Sequence, residues 1–133
     1  MKKRFLFLLV VFFALITLFT GCKEPEASGD GTITVIVVDS DKTELFEGEL
    51  VFNEGDSLVD LLKNHEEIKL GGSDSEYGFY IESVCGKNAS DAGATFYWNL
   101  KINGEDSMVG ISSVVIEDEM EVKLSLVDWT VTE

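Results

Sequence analysis

The sequence predicts an α+β fold, a mixed sheet with one short helix packed on one face. Three observations carry this. Thr95–Gly104 alternates with period two, Phe96, Trp98, Leu100 and Ile102 on one side and Tyr97, Asn99 and Lys101 on the other. Thr32–Val38 is almost entirely β-branched. Only one stretch outside the N-terminal apolar run, Leu58-Val59-Asp60-Leu61-Leu62, repeats its apolar residues at helical spacing.

The first 21 residues read as an export signal. Lys2, Lys3 and Arg4 precede an uncharged run from Phe5 to Phe19. That run is shorter than the roughly 20 apolar residues that span a bilayer. It closes on Phe19-Thr20-Gly21-Cys22, which resembles the bacterial lipobox. The resemblance implies cleavage before Cys22 and lipid on its sulfur, so the protein is expected outside the cytoplasm, anchored to the membrane. Cleavage removes three cations and no acid, moving the formal charge from −15 to −18. Nucleic acid, which demands a basic face, is excluded as a partner. With Cys22 acylated, Cys85 has no disulfide partner in the chain and is expected to be a small buried hydrophobe.

Residues 22–31 hold the only proline and two glycines, Gly29 and Gly31, among polar residues, and form a short tether. The domain is expected from residue 32 to 133. Thr32–Val38 and Thr43–Phe52 form a hairpin around Asp39-Ser40-Asp41-Lys42. The spacing of Asp39 and Asp41 hints at a calcium loop, but the glycine and closing glutamate of such a loop are missing, so no metal is expected. Asp56 or Ser57 caps the helix, which ends near His65, where the helix dipole favours a histidine. Ile68–Glu76 reads as a glycine-rich connection, Tyr77–Val84 as a strand closing in a Cys85-Gly86 turn, and Lys87–Gly93 as a loop. After the central strand Asn103-Gly104 turns the chain. Met108-Val109-Gly110-Ile111 is an apolar patch in a polar loop, Val114–Ile116 a short strand, and Glu117–Glu121 an acidic turn. The last strand sets Val122, Leu124 and Leu126 against Lys123, Ser125 and Val127. Strand, strand, helix, strands is the order of a β-grasp arrangement.

Several segments together resemble the bacterial relatives of the C-terminal domain of transcobalamin and intrinsic factor. They are Gly55-Asp56-Ser57-Leu58-Val59-Asp60-Leu61-Leu62, Ile81-Glu82-Ser83-Val84-Cys85-Gly86, Tyr97-Trp98, Asn103-Gly104, Gly110-Ile111-Ser112 and a last strand ending in an aromatic. The resemblance covers residues 32 to 129 and implies a β-grasp-like, lipid-anchored or surface-attached protein. In the animal carriers this domain closes over cobalamin together with a helical domain, of which this sequence holds no counterpart. The turn before the last strand also departs from the family's Asp-Gly-Asp, reading Asp118-Glu119-Met120.

No nucleophile accompanies the single histidine, so catalysis and catalytic residues are not expected. A ligand-binding lipoprotein is the favoured reading, with cobalamin or another corrinoid as ligand and a transporter or surface protein as partner. Tyr80, Tyr97, Asn99 and Met108 are the candidate ligand contacts, aromatics on an open face being suited to stacking on a flat ligand. The alternative is a surface protein-interaction module that uses an exposed strand edge and takes no small molecule.

Overall fold

The computed structural model describes residues 29–131. The export signal, Cys22 and most of the tether lie outside the described residues. A five-stranded sheet is built from β1 (Gly31–Val38), β2 (Glu44–Phe52), β6 (Phe96–Ile102), β7 (Glu105–Asp106) and β8 (Met120–Asp128), in the order β2-β1-β8-β6-β7. β1 runs antiparallel to β2 and parallel to β8, and β6 antiparallel to both β8 and β7. The sheet is therefore mixed and β-grasp-like, as expected.

One face of this sheet is the core face. Ile33, Val35 and Val37 on β1, Leu50 and Phe52 on β2, Trp98 on β6 and Met120, Val122, Leu124 and Leu126 on β8 are all buried. Helix α1 (Leu58–Asn64) delivers Leu58, Val59 and Leu62 to the same core. Ser57 is its cap, the hydroxyl accepting from the Asp60 N–H at 3.4 Å; Asp56 instead accepts from the Asn53 N–H. All described core residues lie between Ile33 and Leu126, and the parallel pairing of β1 with β8 joins the first hairpin to the later strands. The segment 23–133 thus contains the whole of the described core.

The structure corrects four local readings. The glycine-rich stretch is not a connection: β3 (Gly71–Ser75) pairs antiparallel with β4 (Gly78–Val84), and β5 (Lys87–Asn88) completes a second, three-stranded sheet. The loop after Cys85 also holds a one-turn helix, α2 (Ala89–Ala92), so α1 is not the only helix. Val114–Ile116 is not a strand. Among the described residues no neighbour pairs with it, and it follows a 3₁₀ turn (Ile111–Ser113) that points Ile111 into the core. His65 does more than complement a dipole: its Nδ1 accepts from the N–H groups of Glu67 (3.2 Å) and Ile68 (3.3 Å), while its ring meets Phe46 edge-on.

Two of the tight turns place two successive residues in the left-handed region. Asn103 (φ 52°) and Gly104 (φ 83°) join β6 to β7, and Cys85 (φ 53°) and Gly86 (φ 77°) join β4 to β5. The acidic turn before β8 places Glu119 at φ 64°, in the left-handed region that favours glycine, while the Glu119 N–H donates to the Thr32 carbonyl at 2.8 Å. Cys85 is half-buried against the core, and burial pushes its thiol pKa up, with Glu67 adding repulsion of the thiolate. The folded protein holds this proton more tightly than the unfolded chain. The stability that this contributes is therefore fully present below the unfolded thiol pKa and is lost as pH rises from there through the higher, folded value. Iodoacetamide at pH 8 should alkylate Cys85 several-fold more slowly than free cysteine, with the rate recovering in denaturant. An equal rate in the folded protein would show the thiol to be exposed.

Candidate functional site

The other face of the five-stranded sheet carries no helix among the described residues. Strand alternation and register put the same-side neighbours in transverse rows. Tyr97 opposes Val127, Asn99 opposes Ser125 and Lys101 opposes Lys123 across β6 and β8. Across β8 and β1, Lys123 is paired with Ile36 and Ser125 with Val38. The β6 and β8 residues floor an open groove of about 940 Å³, walled by Ser40, Asp41 and Lys42 of the β1–β2 turn and by Trp129 and Val131 beyond β8.

The walls are fixed by short-range polar contacts. Asp39 is 3.0 Å from the Lys87 Nζ and also accepts from the Ser40 N–H, and both interactions, the lysine first, hold its carboxyl below its usual pKa. Asp41 accepts from the Thr43 N–H at 2.9 Å. Both carboxylates of the calcium-like spacing are therefore occupied in shaping the turn. At the other end, Asp128 accepts from the Thr130 hydroxyl (2.7 Å) and N–H (2.9 Å), which lowers its pKa, and the Trp129 N–H donates to the Thr95 carbonyl. This turn holds the Trp129 side chain out at the groove mouth, 67% exposed.

The expected ligand residues separate in space. Tyr97 and Asn99 share the groove floor. The Asn99 amide is not wholly available, since its Nδ2 donates to Asp106 Oδ1 at 2.9 Å. Tyr80 lies on β4 in the second sheet, exposed on the side opposite the buried Phe79, and Met108 is almost fully exposed in the loop after β7; neither lines the groove. Trp129, Lys101, Lys123 and Ser125 line it without having been singled out. The alternation of Lys101 on β6 and of Lys123 and Ser125 on β8 was legible, but the pairing of β8 with β6 was not. Among the described residues no group of three His, Cys, Asp or Glu side chains is placed to hold a metal ion.

Known proteins share this architecture. A protein of Ruminococcus gnavus ATCC 29149, described as a candidate metal binding protein, superposes with a TM-score of 0.60 at 23% identity, covering 74% of this chain and 98% of its own. Haptocorrin in complex with Cbi superposes with a TM-score of 0.59 at 17% identity, again over 74% of this chain but only 26% of haptocorrin. At these identities the likeness is one of fold, the transcobalamin-like fold that the sequence resembles. No curated protein matches the chain. Residues 55–127, more than half of the chain, match one family model, and the chain belongs to that family, described as "Domain of unknown function (DUF4430)".

Proposed function

We propose that this protein is a non-catalytic binding module, held outside the cytoplasmic membrane by lipid on Cys22, that takes a flat, partly apolar molecule on the open face of its main sheet and passes it to a transporter or surface protein. The observation that carries this reading is the groove itself: Tyr97 on its floor and Trp129 at its mouth offer aromatic surface over an uncovered sheet. A corrinoid is the ligand of choice because haptocorrin, which shares the fold, is described in complex with Cbi.

Titration of the 23–133 fragment with cobalamin and cobinamide tests this. Calorimetric heat is expected, and Tyr97→Ala should weaken binding about tenfold, a loss of about 1.4 kcal/mol. Its unfolding midpoint should change little, because Tyr97 is 37% exposed and outside the core. Absence of both heat and thermal shift with either corrinoid would remove them as ligands. Loss of stability with unchanged affinity per folded molecule would remove Tyr97 from the site.

A further inference from the structure

We infer that the groove selects a ligand with an anionic group at one end and a flat apolar body at the other, the anion being held between Lys101 and Lys123. The inference rests on the reading of the groove as a binding site and narrows its ligand to one with an anionic group, which cobinamide does not carry.

The chain carries 25 acids against ten lysines and arginines, so a cluster of cations on it is unexpected. Lys101 and Lys123 are nevertheless direct cross-strand neighbours on the groove floor, while the acids that line the groove, Asp41, Asp106 and Asp128, lie around that pair and not between its members. Directly opposed like charges destabilise a sheet. Among the described residues neither Lys101 nor Lys123 enters a salt bridge, in contrast to Lys87 with Asp39. The full row across the sheet reads Glu47, Ile36, Lys123, Lys101, Asp106. Acids stand at its ends, and Asp106 is shared with the Asn99 amide. The direct opposition of Lys101 and Lys123 thus sets like charges side by side on the groove floor, with Asp106 beside Lys101 alone, and an anion between the two lysines converts their repulsion into attraction.

The neighbouring rows define the remainder of the ligand. Moving along β6 and β8 from the lysines, the pairs are Asn99–Ser125 and then Tyr97–Val127, with Trp129 beyond. The lysine row and the Tyr97 row are four residues apart, about 13 Å at strand rise. The floor thus grades from cationic through hydrogen-bonding to apolar over the length of a small amphipathic anion. A second copy of this chain is the poorer occupant, because two bodies of formal charge −18, the value without Lys2, Lys3 and Arg4, repel.

Two fluorescent probes of matched shape test the assignment on the 23–133 fragment: 6-(p-toluidino)-2-naphthalenesulfonate, linear with its anion at one end, and the sulfonate-free N-(p-tolyl)-2-naphthylamine. Lys101→Gln and Lys123→Gln should each weaken the sulfonate about fivefold, and the double variant about twentyfold. Affinity for the neutral amine should stay within about twofold, and added salt should weaken the sulfonate alone. Because the substitutions relieve a repulsion, the unfolding midpoint should hold or rise, which keeps the comparison readable. No sulfonate binding, binding indifferent to both lysines, or sulfonate binding that tracks dimer formation in sedimentation would overturn the inference. Indifference to the lysines with Tyr97→Ala still weakening both probes would overturn it while leaving the aromatic platform standing. Neutral-amine binding untouched by Tyr97→Ala would instead count against the platform.

Discussion

Trp98→Ala should cost about 3–5 kcal/mol of unfolding free energy, the range for removing a buried large aromatic. The indole is 5% exposed and faces the same core as Leu126, its cross-strand partner, and Val84 and Ala89 of the second sheet and α2. Its Nε1–H donates to the Lys87 carbonyl at 3.2 Å. Truncation therefore opens a cavity and also orphans an acceptor at the start of β5. Two variants separate these effects in denaturant titrations. Trp98→Phe keeps most of the apolar ring and loses only the donor, so its cost should be nearer to about 1 kcal/mol plus a small packing loss. If Trp98→Ala cost less than about 1.5 kcal/mol, well under the range for such a truncation, the tryptophan would not be joining the two sheets.

Gly72→Ala should destabilise the second sheet by about 1–3 kcal/mol, although it adds one methyl group to an exposed strand. A Cβ at this position would overlap the Tyr80 carbonyl oxygen and press on the Phe79 ring at 2.9 Å. The pairing register shifts between Gly71 and Gly72, so the strand is already bent there and the backbones lie close. Amide exchange should report the effect locally, with protection lost in Gly71–Ser75 and in the facing part of β4 while β1 and β8 keep theirs. Uniform loss across both sheets would show that β3 is part of the main cooperative unit. Unchanged protection would show that the backbones have room to separate.

The same glycines explain where sequence reasoning stopped. Gly71-Gly72-Ser73-Asp74-Ser75 has no apolar alternation and every sign of a connection; it is a strand because β4 offers it an edge, a fact absent from the local sequence. Conversely, Val114–Ile116 has strand composition and no edge to join among the described residues. Where one face is buried, the pattern was sufficient: the inward residues of β6 and β8 fall where alternation put them, and the inward side of α1 where helical spacing put it. Half of the groove was legible for the same reason, since Tyr97 and Asn99 lie opposite Trp98 on one strand. The other half needed the register of β6 against β8, which aligns residues far apart in the chain and alone brings Lys101 to Lys123. Trp129 was visible as the aromatic end of the last strand, but its outward pose depends on the Asp128–Thr130 turn.

The parallel pairing of β1 with β8 sets a direction for the whole body. The chain enters the domain at Gly31, near Met120, whereas Trp129 follows the far end of β8 and Tyr97 of β6 lies beside that end, opposite Val127. The 8 residues of β1 separate the two poles, about 26 Å at strand rise. A leash fastened at the entry pole would stand the domain upright, its aromatic rim uppermost and farthest from whatever surface holds the leash.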